Sequence, residues 1–365
     1  MFCMIEKLTF DWPSLVVGGI IGYLCTRILG KPLDLMETRA SNYVKRKLCS
    51  PPSKKDPEYF KLGTFETQFL IIDGNGEYEY EPENIVCRVE NKPMNLPPEV
   101  IRLYDEIEQE QKNKEERGDP FEWNGPFWAL EKHNVTRTTP NERMKLILTL
   151  RKSDYFTFRA TVLSLDKNLA DQPRGLTLRQ KYLQGRDPRD LGNNPIVFLA
   201  NGIGVALLAI TKDKKALIAR RAETVGPRPG QLDVSVAEGL NPERDGKDFF
   251  RAAYSGINEE LGVKPSDTSV ALLGFGVDMK YYQWIMIGVA RVNKTAQEVL
   301  EGRSRGTMGK WENREFYPID IDLKTILTYL KDREMWDTAW VTLYWALVYE
   351  WGKGKVDSVW KKILG

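Results

Sequence analysis

Residues 251–263 read Arg-Ala-Ala-Tyr-Ser-Gly-Ile-Asn-Glu-Glu-Leu-Gly-Val and carry the clearest chemical signal in the chain. Glu259 and Glu260 stand side by side near the end of a helical pattern. Carboxylate oxygens are natural ligands of Mg²⁺, which usually takes one or two of them together with phosphate oxygens and water. Neighbouring helical positions point about 100° apart. The two glutamates can therefore border one loop–helix corner without sharing a face. Tyr281, Tyr282 and Trp284 offer rings that either stack on a base or pack in a strand core. The single histidine, His133, nearly excludes histidine-based metal sites and triads. Cys3, Cys25, Cys49 and Cys87 form no C-x-x-C pair and read as isolated reduced thiols of a cytoplasmic body.

The elements that must position these groups follow from periodicity. Phe249, Ala253, Ile257 and Leu261 recur every fourth residue and define the buried face of a helix from Asp248 to Leu261. Residues 203–222 read as two strands joined by a polar turn at Thr211 to Lys215, and 230–240 as a strand running into a loop. Two more strand-like runs follow the helix, then Glu315 to Ile321 and a helix near Leu323 to Leu330. The last helix is rich in Trp and Leu, but Asp337, Thr338 and Thr342 interrupt it, so core packing is expected rather than a membrane span. Before residue 194 lie alternating runs at 62–90 around a turn at Asp73 to Gly76, an exposed helix at 97–117 and a strand-like block at 144–165. Residue types there name no chemistry.

The N-terminal end has a different character. Residues 12–29 are the one long apolar run, with no charge from Trp12 to Cys25. The run is short for a membrane helix, and Met4, Ile5, Leu8 and Phe10 extend it. Lys31, Arg39, Lys45, Arg46, Lys47, Lys54 and Lys55 follow it, whereas Lys7 precedes it. The positive-inside rule then places the body in the cytoplasm. Ser14, Gly18, Gly22 and Thr26 share one helix face, and small residues there favour close helix–helix approach and self-association. The formal net charge of +2 supplies no global basic field for duplex nucleic acid.

The stretch from Ile257 to Val263 resembles the second half of the Nudix box, G-x5-E-x7-R-E-U-x-E-E-x-G-U, where U is aliphatic. Ile257, Glu259, Glu260, Gly262 and Val263 match. Ser255 and Gly256 stand where that family has its Arg-Glu pair. The first half matches loosely through Glu238 and Gly239, with Glu243 displaced by a longer loop. The resemblance implies a Nudix-like α/β/α sandwich with a mixed sheet over about residues 194–330. It implies Glu259 and Glu260 as catalytic and Mg²⁺-binding residues, with Glu238, Gly239, Arg220, Arg221 and Tyr282 around a nucleotide. The basic, glycine-rich 302–310 could serve as a flap over phosphates.

The expected organisation is a transmembrane helix in 1–30, a basic linker over 31–60, a strand-rich α+β region over 61–193, the Nudix-like domain and a C-terminal helix over 331–365. This arrangement resembles membrane-anchored SMODS-associated Nudix proteins, effector candidates of cyclic-oligonucleotide antiphage systems. That likeness implies nucleotide sensing, self-association in the inner membrane and membrane disruption. A Mg²⁺-dependent hydrolase of nucleoside diphosphate derivatives remains the competing expectation, because Glu259 and Glu260 are kept while Gly256 is not a carboxylate.

Overall fold

The computed structural model describes residues 59–62, 65–138, 143–169, 176–223, 228–304, 313–331 and 333–363. The apolar N-terminal run, with Ser14, Gly18, Gly22 and Thr26, lies outside the described residues. Among the described residues no helix is long and apolar enough to cross a membrane.

The chain runs β1 (Tyr59–Leu62), β2 (Phe65–Gly74), β3 (Ile85–Glu90), α1 (Pro98–Arg117), β4 (Pro126–Thr138), β5 (Arg143–Asp154), α2 (Tyr155–Thr161), α3 (Leu178–Tyr182) and α4 (Pro188–Asn193). It continues through β6 (Gly204–Thr211), β7 (Lys215–Arg221), β8 (Leu232–Asp233), β9 (Val236–Gly239), α5 (Phe249–Leu261), β10 (Thr268–Asp278) and β11 (Gln283–Val292). Then come α6 (Ala296–Ser304), β12 (Asn313–Asp320), α7 (Leu323–Leu330), α8 (Asp337–Trp351) and α9 (Lys353–Ile363). It is a mixed α/β protein.

The main sheet has the order β1-β2-β10-β11-β6-β7-β12, with β9 on β6 and β8 on β7. Strands β6 and β11 run parallel. Every residue of β6 is buried, because both faces of the sheet are covered. Val205, Leu207 and Ala209 face one core, shared with Phe249, Ala253, Ile257 and Leu261 of α5. Ala206, Leu208 and Ile210 face the other, shared with Trp340, Leu343 and Leu347 of α8. Helix α8 is apolar on nearly every side because the sheet and the last helix enclose it, and Thr342 returns its hydroxyl to the carbonyl of Thr338 at 2.8 Å. The core role expected for this helix is what the packing displays.

The expected division at residue 194 does not divide this sheet. Strand β2 pairs antiparallel with β10, and residues 57–365 form one compact unit. The strands on either side of the Asp73 to Gly76 turn do not pair with each other: β3 instead joins β5 and β4 in a second, three-stranded sheet. The strand-like block at 144–165 also resolves differently. It becomes β5 followed by α2, because the Asp154 carboxylate accepts from Thr157 N at 2.7 Å and caps a helix. Helix α1 is exposed on one side only, for Val100, Leu103 and Ile107 enter the core.

His133 joins β4 to the main sheet. Its Nε2 donates to the carbonyl of Gly192 at 2.6 Å, and its ring lies against Phe275 and Trp284. Burial lowers its pKa below the ordinary 6.5, although the Gly192 hydrogen bond opposes the shift. A lowered folded-state pKa gives stability that is present above the unfolded value and lost as pH falls through the folded one. The melting temperature is therefore expected to decline as pH drops below about 6.5, and less so in His133→Gln. An NMR titration of this single ring with a midpoint at or above 6.5 would refute the account.

Candidate functional site

Helix α5 is defined at both ends by local chemistry. Asp248 accepts from the backbone N–H groups of Phe250 and Arg251 at 2.9 and 3.2 Å, the usual N-cap arrangement. Gly262 ends the helix at φ +67°, a conformation that glycine adopts without steric cost. Along the buried face lie Phe249, Ala252, Ala253, Gly256, Ile257, Glu260 and Leu261. Gly256 is where the helix meets β9: a Cβ there would stand 2.7 Å from Val236 Cγ1 and 2.8 Å from Glu238 Cβ. Close packing thus accounts for a glycine in a helix interior, where it costs about 1 kcal/mol relative to alanine.

Above this contact a guanidinium gathers the carboxylates. Arg244 Nη1 donates to Glu259 Oε1 at 2.8 Å, and Nη2 donates to Glu238 Oε1 at 3.0 Å. Nε and Nη2 also donate to Asp245 at 2.8 and 2.7 Å, and Nη2 reaches the Gly239 carbonyl at 3.3 Å. The Asp245 side chain is wholly buried and also accepts from Ser255 Oγ at 2.9 Å and Asn241 N at 3.0 Å. Burial works against the Arg244 charge. The Asp245 hydrogen bond and the Glu238 and Asp245 charges outweigh it, so the arginine is held above its ordinary pKa.

These positions revise the expected site. Glu238, Gly239 and Glu259 do come together, but around an arginine of the chain itself. Glu260 points inward, 2% exposed, and its backbone carbonyl accepts from Arg303 Nε at 3.0 Å. A Mg²⁺ ion needs open oxygen ligands and retained water. Here a Glu259 oxygen is held by Arg244 and Glu260 is sealed from solvent, so the pair does not fit the ion in this arrangement. Among the described residues no group of three carboxylate, histidine or cysteine side chains is arranged to hold a metal. Glu243 is exposed, with its N–H on the Asn241 side chain, and does not replace the displaced carboxylate. Arg244 and Asp245 are absent from the sequence-based site. The signal for them is Asn241-Pro242, a turn start whose side chain accepts from the N–H groups of Glu243 and Arg244 at 2.8 and 3.0 Å.

Strand alternation separates the two arginines of β7. Arg220 is exposed, 3.9 Å from Glu223. Arg221 is buried, with Nη1 3.4 Å from Asp233. Tyr282 does not line a ligand surface. It is fully buried, its hydroxyl accepting from Ile196 N and donating to the Leu191 carbonyl, each at 3.0 Å. Trp284 is likewise core. Of the expected flap, residues 305–310 lie outside the described residues, while Arg303 is buried against Phe316.

A second polar cluster lies beside Arg221. Arg228 is inserted between Trp336 and Tyr281, with 3.1 and 4.9 Å from the guanidinium carbon to the ring centroids. Its Nη1 stands 3.9 Å from Asp278 Oδ2. Asp278 accepts from the Trp336 indole N–H and, at 2.9 Å, from Lys280 N. Burial pushes Asp278 and Asp233 above the usual carboxylate range and, despite the opposing carboxylate charges, brings Arg228 down to about 10. A cavity of about 720 Å³ opens here, walled in part by Arg228, Tyr281, Gln231 and Arg179.

The chain matches no protein-family model and no curated protein. Among solved structures it is similar to DR0079 from Deinococcus radiodurans, at 16% identity over 38% of this chain and 80% of that one, with a TM-score of 0.29. At that score the likeness assigns neither fold family nor activity.

Proposed function

We propose that this protein is a membrane-anchored, Nudix-like nucleotide-binding effector that holds its ligand without hydrolysing it. The ligand class is a nucleotide derivative, with a cyclic oligonucleotide as the favoured form. The body lies in the cytoplasm, and the output acts on the inner membrane in antiviral defence through self-association of the N-terminal helix. Duplex nucleic acid is not a partner.

One observation carries the reading. Arg244 engages Glu238, Asp245 and Glu259 together, so Glu259, one of the two carboxylates that a Nudix-like helix would offer a metal, is bound to an internal cation. Two further features support it: helices cover both faces of a mixed sheet, and Gly256 leaves no carboxylate at its position.

The test uses the full chain in its membrane. A labelled nucleotide panel that includes cyclic oligonucleotides is expected to yield a retained ligand, with no Mg²⁺-dependent product. In cells, ligand-triggered toxicity is expected to vanish in Gly18→Leu and Gly22→Leu. Mg²⁺-dependent release by wild type that Glu259→Gln and Glu260→Gln abolish would favour the hydrolase instead. Toxicity that survives deletion of residues 1–30 would overturn the membrane step.

A further inference from the structure

The cavity beside Arg228 is lined by several charged side chains. Among the described residues, Arg228 Nε and Nη1 are buried without a hydrogen-bond partner, and only 4% of the side chain is exposed. Burying such donors unmade is costly. The backbone at Arg228 is also unusual for a side-chain-bearing residue, at φ +57°, two residues before Gly230 at φ +71°. The other charged groups in the wall have partners. Arg179 donates to Asp166 at 2.6 Å and Lys167 to Glu106 at 3.2 Å. Glu334 accepts from Gln231 at 2.8 Å, and Glu223 lies 3.9 Å from Arg220. Among the described residues of the wall, the cation with unmet donors is therefore Arg228. Tyr281 borders the same space, with Lys280 Nζ 5.7 Å from its ring centroid.

We propose that this cavity takes a nucleoside phosphate, its base stacked on Tyr281 and its phosphate drawn to Arg228. The proposal rests on the nucleotide-binding reading above and says where that ligand sits. Aromatic rings accept any base face, and arginine forks match phosphate oxygens. The volume of about 720 Å³ lies within the usual span of small-molecule sites. Lys280 is exposed and free to leave the ring for a phosphate. Because the Arg228 donors are covered, ligand entry moves the turn at 228–231, a motion that amide exchange reads directly.

Equilibrium dialysis of the full chain in detergent micelles against radiolabelled ATP, GTP and cyclic tri-adenylate tests the site. Whichever probe wild type retains is expected to bind at least about tenfold more weakly to Tyr281→Ala, from the loss of stacking, and also to Arg228→Gln. Amide exchange at 228–231 in wild type is expected to change on adding the retained probe. Should Arg228→Gln fail to fold, Tyr281→Ala and the exchange experiment decide the matter. Retention by wild type with equal binding by Tyr281→Ala and unchanged exchange at 228–231 would overturn this pocket and leave the nucleotide reading intact. No retained probe would overturn both.

Discussion

Replacing Arg244 with alanine is expected to destabilise the protein by about 3 kcal/mol and to make it respond to divalent cations. Removing one partner of a buried ion pair costs about 3–5 kcal/mol, because the remaining charge is left without compensation. The Asp245 side chain is wholly buried, whereas Arg244 is 29% exposed, and that exposure places the effect at the low end of the range. Among the described residues Asp245 would keep Ser255 Oγ and Asn241 N as donors, with Glu238 and Glu259 nearby as like charges. A divalent ion would relieve that repulsion. Mg²⁺ or Mn²⁺ should therefore raise the melting temperature of Arg244→Ala and leave wild type unmoved. Arg244→Lys keeps the charge but loses the fork that reaches three carboxylates at once, so it should fall between them. Urea unfolding with and without the ions measures both effects. An alanine variant as stable as wild type, or one indifferent to the ions, would remove the idea of an internal cation.

Installing the carboxylate that the Nudix box carries at this position, Gly256→Glu, is expected to damage the fold and not to create a hydrolase. Any Cβ at this position meets Val236 Cγ1 at 2.7 Å and Glu238 Cβ at 2.8 Å, and overpacking of this kind costs about 1–3 kcal/mol. Alanine should show this term alone, reduced by up to about 1 kcal/mol of helix propensity. Glutamate adds an ionised group on the buried face of α5, beside a Glu238 carboxylate already held by Arg244. Its total penalty is expected to reach about 3 kcal/mol or more. Calorimetry of both variants, alongside an assay for Mg²⁺-dependent nucleotide cleavage, provides the check. A stabilised Gly256→Ala would contradict the packing explanation, and cleavage by Gly256→Glu would contradict the reading of the site.

Helix α5 shows how far the residues alone lead. Its cap at Asp248, its stop at Gly262 and its core face of Phe249, Ala253, Ile257 and Leu261 all depend on neighbours within a few positions. The same holds for the β6–β7 pair around its short turn, and for α7 after β12. The two strand arginines are another local case: alternation predicts that one turns inward, and Arg221 does.

Contacts between distant segments were not legible in this way. Strand β2 pairs with β10 about two hundred positions away in the chain, and nothing in the residues of β2 names that partner. Pairing is decided by which edges the folded chain brings together. Tyr281 and Tyr282 are adjacent and chemically alike, yet one borders a cavity and the other is sealed in the core, because successive positions face different surroundings. The glutamates Glu259 and Glu260, legible as a pair, part company for the same reason: one meets Arg244 and the other turns into the core. Local periodicity and capping were thus determined by the sequence itself, since those forces act within one turn or one strand. Tertiary structure alone decided that Arg244 would occupy the carboxylate cluster and that Arg228 would be buried between Trp336 and Tyr281. The energy of a charge depends on which groups surround it in space, and those groups come from remote parts of the chain.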